Sequence, residues 1–372
     1  MNVLKMTNIG GAKFLKKNRE EGEEFEEYLF FIADSMASSR ESQSKWDYYQ
    51  KMFVVGENKD FILMGTGRGD WLTHLASKLE NEPLVGLEDT YQQILFLTQN
   101  IPGINHNECL NLIIGGYHIL PRQARKTLGI LHMNATGWSP DEGKSRPENI
   151  GARLEDFVFD GSGSGNVISY LDGLHETGKI YVDDLADVLV YMYEFGKQGA
   201  KNMGVNDKLQ LGILTKNGSS VLYHPDIRLA GDNQFTFYLN QMCSAKLPVL
   251  GDDVEGKERI ELGQARQDLK KVLSQVYCSL ISDLREYAEL RSWYTSWSEA
   301  YAANEKFKEC FDNIRERRAK ARGHVTDGVN ALVNRGLDSL VSYLKDCDLR
   351  QRVVEARAVE HIQKYAPQVA KQ

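Results

Sequence analysis

Proline is scarce in this sequence, with 8 among 372 residues, and from Arg259 to about Ala366 there is none. That stretch is also poor in glycine and dense in Leu, Ala, Glu, Lys and Arg. Its apolar residues Leu269, Val272, Leu273, Val276 and Leu280 recur at helical spacing, which predicts three or four helices broken near Gly323 and Gly336. Cysteine is equally uninformative as a staple. Cys109, Cys243, Cys278, Cys310 and Cys347 are odd in number and scattered, with no C-x-x-C spacing, so neither a disulfide framework nor a zinc site is readable and reduced thiols are expected. The histidines form no H-E-x-x-H or other metal spacing. No eighteen apolar residues run together, and Met1 to Asn8 is too short and too polar for a signal-peptide core, so a soluble cytoplasmic protein is expected. Excess positive charge is missing too. A net charge of −7 and a pI near 5.7 give no global attraction to phosphate backbones, so nucleic acid is not an expected partner. The basic run Arg315 to Arg322 lies on a Glu-rich helical pattern and reads as a solvated face.

What is present is core-forming material. The chain is 42% hydrophobic, and its length suggests two or three domains. Composition changes near residue 250, which divides the chain into 1–250 and a helical extension over 251–372. In the first part, Gly10 to Phe14 and Tyr28 to Ala33 read as a hairpin whose charged tip spans Lys16 to Glu27. Lys51 to Val55 and Asp60 to Met64 read as strands joined through Gly56-Glu57-Asn58-Lys59. Trp71, Leu72, Leu75, Ala76 and Leu79 fall on one face of a helix, and a second helix is expected over Leu87 to Thr98. Leu110 to Tyr117 and Lys126 to Met133 are again strand-like, and Pro140 to Ile150 has the composition of a loop. Gly165 to Leu171 and Val182 to Gly199 look helical, and Lys208 to Thr215 with Ser220 to His224 form a hairpin around Lys216-Asn217-Gly218. Antiparallel strands with helices in pairs between them suggest two sheets, or one large sheet, covered by helix layers.

Gly161-Ser162-Gly163-Ser164-Gly165 lacks the Lys-Ser/Thr ending of a phosphate-binding loop and the spacing of a dinucleotide fingerprint, so no nucleotide cofactor is expected there. Trp293, Tyr294, Trp297 and Tyr301 recur at helical spacing and read as helix-packing core, with an interface as the alternative.

Seven short segments, in order and with their spacing, resemble the β-type subunits of proteasomes, which are N-terminal nucleophile (Ntn) hydrolases. They are Thr7-Asn8-Ile9-Gly10-Gly11, Ala33-Asp34-Ser35-Met36-Ala37-Ser38, Lys51-Met52-Phe53, Gly65-Thr66-Gly67-Arg68-Gly69-Asp70, Leu112-Ile113-Ile114-Gly115-Gly116-Tyr117, Gly161-Ser162-Gly163-Ser164 and Gly204-Val205-Asn206-Asp207. The resemblance covers about Thr7 to Tyr223. It implies an α+β fold, a four-layer αββα sandwich, followed here by the all-helical domain.

It also implies a chemistry. A threonine hydroxyl is a poor nucleophile at neutral pH, but the α-amine of an N-terminal threonine, with a reference pKa of roughly 7.7 to 8.0, can act as its base. The resemblance makes Thr7 the nucleophile, Lys51 the cation that keeps the amine neutral and Asp34 the carboxylate that fixes the lysine. Ser162 and Asp207 become supporting residues beside the amine, and Gly65, Gly67 and Ser38 become oxyanion or substrate-binding positions. Thr7 must first be freed from residues 1–6, by autolysis after Met6 or by translation from Met6 and removal of that methionine. The implied function is a threonine peptidase acting on peptide or unfolded protein, in a homo-oligomeric ring, with an ATPase unfoldase among the partners the resemblance allows and no metal. A non-catalytic scaffold of the same fold is the competing reading, and a peptide ligase or amidohydrolase would share the mechanism. Gln210 stands where the resemblance expects serine, a change expected to weaken the hydrogen-bond network.

Overall fold

The first strand, β1 (Asn8–Lys17), pairs antiparallel with β2 (Phe25–Ala33) from Ile9 opposite Ala33 to Lys17 opposite Phe25. The strands therefore run further into the charged stretch than its composition suggests. The computed structural model describes residues 8–17, 25–38, 45–46, 49–67, 69–99, 110–120, 125–136, 149–155, 157–161, 180–182, 185–199, 207–227, 273–294, 305–334, 339–340 and 342–344. Two short strands, β3 (Ala37–Ser38) and β4 (Lys45–Trp46), pair with each other. Next come β5 (Met52–Val55), β6 (Phe61–Thr66), α1 (Gly69–Leu79), α2 (Leu87–Gln99), β7 (Leu110–Leu120) and β8 (Arg125–Thr136). These are followed by β9 (Asn149–Glu155), β10 (Phe157–Gly161), β11 (Ile180–Val182), α3 (Leu185–Gly199), β12 (Gln210–Thr215) and β13 (Gly218–Leu222). Two long helices, α4 (273–294) and α5 (Glu305–Asn334), follow.

The strands form two main sheets. One has the order β10-β1-β2-β12-β13, antiparallel except that β11 adds to β1 in parallel, and the other has the order β5-β6-β7-β8-β9. Alternation along each strand decides which layer a residue enters. On β2, Leu29, Phe31 and Ala33 face the second sheet, whereas Tyr28, Phe30 and Ile32 face α3 and the helices beyond it. On β6, Ile62 and Met64 face the first sheet while Phe61 and Leu63 meet α1 and α2. Both faces of both sheets are apolar, so each must be covered on both sides. The result is the expected α+β sandwich, helices over sheet over sheet over helices, followed by an all-helical C-terminal domain.

Two glycines, Gly11 and Gly115, set how closely the sheets approach. Phe31 lies between the sheets, and a Cβ on Gly11 would come within 2.6 Å of its ring and one on Gly115 within 2.1 Å. Burying such a ring contributes about 1.5–3 kcal/mol, which an added methyl at either position would work against.

The C-terminal helices pack on the sandwich and depart from expectation in two ways. Val276, Leu280 and Leu284 of α4 and Val325 and Val329 of α5 share one core with Leu189 and Met192 of α3, so the helical domain packs on the sandwich instead of burying its apolar face alone. Helix α5 runs through Gly323 without a break, because neighbouring turns and tertiary packing outweigh the roughly 1 kcal/mol that one glycine costs a helix. The basic run on α5 is only partly solvated. Arg317 reaches Glu286 at 2.9 Å, Arg322 reaches Asp187 at 2.9 Å, and Arg318 lies over the Tyr294 ring at 3.9 Å. Trp293 packs on the shared core and Tyr294 stacks on Phe311, as the aromatic spacing suggested. Trp297 and Tyr301, the expected helix over Gly165 to Leu171, the expected break at Gly336 and the division near residue 250 lie outside the described residues. Strands β9 to β11 were not anticipated, since their short, polar or glycine-bearing sequences resemble loops. No helix among the described residues is long and apolar enough to cross a membrane.

Candidate active site

The pairing brings the chemically interesting segments to one end of the sandwich. There β1 begins at Asn8, β10 ends with Gly161 opposite it, and β2 ends at Ala33, opposite both Ile9 of β1 and Gln210 at the start of β12. In the facing sheet β5 begins at Met52, opposite Met64, and β6 ends two residues later at Thr66. Side chains then join the two sheets across this end.

The central contact is between Asp34 and Lys51. Lys51 Nζ donates to Asp34 Oδ1 at 2.7 Å, and the side chains are 5% and 0% exposed. The same carboxylate accepts the Asn8 N–H at Oδ1, 2.7 Å, and the Met36 N–H at Oδ2, 3.0 Å, while the Asp34 N–H donates to the Asn8 carbonyl at 2.9 Å. The residue after β2 is thus tied by backbone and side chain to the first residue of β1. Burial pushes the Lys51 ammonium below the ordinary lysine value, against the attraction of Asp34. Beside them the Asn8 side-chain oxygen is buried with no hydrogen-bond partner among the described residues. An unmade hydrogen bond of that kind costs about 1–3 kcal/mol.

Gln210 closes the base of this group. Its Oε1 accepts the Lys51 N–H at 3.0 Å and the Met52 N–H at 3.2 Å, and its Nε2 donates to the Tyr49 carbonyl at 2.8 Å and the Asp34 carbonyl at 3.3 Å. Serine was the residue expected here; the longer glutamine amide spans both sheets and makes these four bonds among the described residues. Ser35 Oγ donates to the Lys208 carbonyl at 2.5 Å, and Tyr223 OH donates to the Met52 carbonyl at 2.9 Å while accepting Gln50 Nε2 at 3.1 Å. Burial holds the Tyr223 hydroxyl far above the usual phenol range, so it stays a donor.

The glycine-rich turn lies at the end of β6. Gly65 is inside the ladder opposite Leu112, with no room for a side chain against Leu72 and Leu112. Gly67 is exposed and has φ +110°, a conformation that favours glycine and lets the strand turn into α1. Between them Thr66 Oγ1 donates to Asp160 Oδ2 at 2.7 Å, and Asn111 Nδ2 donates to the same oxygen at 2.6 Å, a second link between the sheets. Tyr49 shelters the start of α1, where a Cβ on Gly69 would come within 2.5 Å of its hydroxyl.

Of the residues nominated from sequence, Asp34 and Lys51 are in direct contact and Gly65 and Gly67 lie on the neighbouring strand end. Asp207 is exposed just before β12, near enough to His224 to oppose the lowering of its pKa, which burial and Lys208 cause. Ser38 belongs to β3, paired with Lys45, and its side chain is outside the described residues, as are Thr7 and Ser162. Asn8, Asp160, Tyr49 and Tyr223 carry no signal of their own in the sequence, where nothing distinguishes them from ordinary strand and loop residues. The chain matches no model of a known protein family, and no curated protein matches it in sequence. The sandwich itself is compatible with Ntn-hydrolase architecture.

Proposed function

We propose that the chain is a threonine peptidase of the Ntn type, with Thr7 as nucleophile once residues 1–6 are removed. The observation that carries this reading is the single oxygen, Asp34 Oδ1, that binds both the Lys51 ammonium and the Asn8 N–H. Thr7 directly precedes Asn8 in the chain, and Ser162 directly follows Gly161, the residue paired with Asn8. A buried lysine–carboxylate pair adds little to stability compared with apolar packing, so its presence at this strand end favours a chemical use.

In this mechanism the freed α-amine of Thr7 takes the hydroxyl proton as Oγ attacks the peptide carbonyl. The nearby Lys51 cation disfavours a second positive charge and keeps the amine neutral between turnovers. Backbone donors near Gly65 and Gly67, with Ser38, stabilise the oxyanion or hold substrate, and Asp207 and Ser162 steady the amine. The C–N bond then breaks, the leaving amine takes the proton, and water attacks the acyl ester to release the acid and restore Thr7. Attack by an amine in place of water would make the same site a ligase. The substrate class is peptide or unfolded protein. The reading extends to a homo-oligomeric ring in the cytoplasm, built from a 1–250 hydrolase domain and a 251–372 helical extension that gates it or docks an unfoldase.

A scaffold without activity is favoured by one observation. At the opposite end of the sandwich Lys13 and Glu27 form another lysine–carboxylate pair, 2.8 Å apart, that needs no catalytic purpose. Intact mass separates the readings first: chains that all retain Met1 to Met6 leave the Thr7 amine in a peptide bond. Processed protein is then treated with a threonine-directed electrophile. Labelling at Thr7, abolished in Thr7→Ala, supports the peptidase, whereas a processed and folded protein that never labels supports the scaffold.

A further inference from the structure

We propose that Gln210 is the positioning residue of this site, its amide fixing the strand end that carries Asp34 against the strand start that carries Lys51. The role rests on the peptidase reading for its catalytic meaning but on geometry alone for its structural content.

Gln210 is itself immobilised by the ladder. It stands opposite Ala33, and the pairing continues through Leu211, Gly212 and Ile213 to Leu214 opposite Leu29. From that fixed point its fully buried side chain crosses to the facing sheet, and each half of the amide is used twice. The oxygen takes the N–H groups of Lys51 and Met52, where β5 begins. The nitrogen gives its protons to the carbonyls of Asp34 and Tyr49, with Ser35 Oγ a further acceptor at 3.4 Å. A primary amide has two donors and two acceptor lone pairs, so this one is saturated.

The contacts are to the backbones of the two ion-pairing residues themselves. Asp34 is held through its carbonyl and Lys51 through its N–H, leaving both side chains free to meet each other at 2.7 Å. No apolar side chain can do this, because β5 begins here and the Lys51 and Met52 N–H groups would lose their acceptor in a buried place. Water would then enter to satisfy them, and it would hydrate the Lys51 ammonium as well. A positioning role therefore predicts a change in Lys51 itself, which simple loss of stability does not.

The test is Gln210→Met in the full chain, with Lys51 titrated by NMR of isotopically labelled lysine and backbone exchange read in parallel. Expected is an upward shift of the Lys51 titration by about one unit, tenfold in its ionisation constant. The Lys51 and Met52 amides lose protection while Ile213 and Leu214 in the ladder keep theirs. An unchanged Lys51 titration with the ladder intact overturns the proposal. Should Gln210→Met lose ladder protection, Gln210→Glu is read instead, since a carboxylate still accepts from both N–H groups. Native-like protection at Lys51 and Met52 then supports the role, and loss there with the ladder intact overturns it. Where Thr7 labels in the native protein, Gln210→Met is expected to slow labelling about tenfold and to raise its pH midpoint. Absence of Thr7 labelling in the native protein would refute the peptidase, while the titration still decides the role of Gln210.

Discussion

Lys51 meets Asp34 across the gap between the two sheets, 2.7 Å from Nζ to Oδ1, with both side chains sealed from solvent. Such a pair is costly to break from one side only, because the remaining charge is left buried. Lys51→Met is expected to destabilise the fold by about 3–5 kcal/mol in urea unfolding. Adding Asp34→Asn removes the stranded charge yet keeps an acceptor for the Asn8 N–H. The double variant is therefore expected to be more stable than Lys51→Met alone, and a double variant that is less stable would mean the pair is not the main interaction at this position.

The Lys13–Glu27 pair at the other end gives a pH signature. Burial alone would raise the Glu27 pKa, but hydrogen bonds from Lys13, Thr127 Oγ1 and the Leu128 N–H outweigh it and hold the carboxyl below its ordinary value. A depressed folded pKa contributes stability above the unfolded value, ~4.3, and that contribution is lost as pH falls through the folded pKa. Glu27→Gln should cost about 1 kcal/mol at pH 7, given the partial exposure of the pair. The difference between native and variant should shrink below about pH 4. A constant difference from pH 7 to pH 3 would contradict this account.

Sequence reasoning reached the sandwich because its signals are local. Alternation marks β2 and β6, helical spacing marks α1, and the Gly10-Gly11 and Gly115-Gly116 pairs stand out in apolar strands. Their reason became visible only in three dimensions, where Gly11 and Gly115 leave room for Phe31. The Asp34–Lys51 pair was legible through resemblance, since the two residues are only 17 apart. The role of Gln210 was not, because its partners lie 158 to 176 residues away in the chain and no spacing rule reaches that far. Gly323 misled for a related reason: a glycine read in isolation breaks a helix, whereas packing on either side of it carries α5 through.

Gly323 and Gly328 on α5 should respond in opposite directions to alanine. A Cβ at Gly323 meets nothing within 4 Å among the described residues, whereas one at Gly328 would lie 2.9 Å from Leu280 and 3.1 Å from the Tyr343 ring. Gly323→Ala should therefore stabilise by about 0.5–1 kcal/mol through helix propensity. Gly328→Ala should destabilise by about 1–3 kcal/mol, because Leu280 of α4 and the Tyr343 ring must move away from α5. Thermal unfolding of both variants gives the check, and equal shifts of the same sign would show that helix packing does not decide the outcome.

The helical domain also touches the strand that carries Gln210. Tyr277 of α4 donates its hydroxyl to the Leu209 carbonyl at 2.8 Å, and the His224 ring stands edge-on against it at 5.3 Å. Leu209 directly precedes Gln210, so the contact braces the start of β12 where the amide begins its reach across the sheets. Tyr277→Phe leaves that buried carbonyl without the phenol and should cost about 1–2 kcal/mol. Stability alone would not separate a brace for the site from ordinary packing. Tyr343→Phe supplies the control, since Tyr343 OH donates to Asp283 Oδ2 at 2.7 Å within the helical domain and away from β12. Similar losses of stability are expected for both variants, but only Tyr277→Phe should speed amide exchange at Gln210 and Lys51 and slow electrophile labelling at Thr7. Equal effects of the two variants at those positions would mean that the helical domain supports the fold without aligning the site.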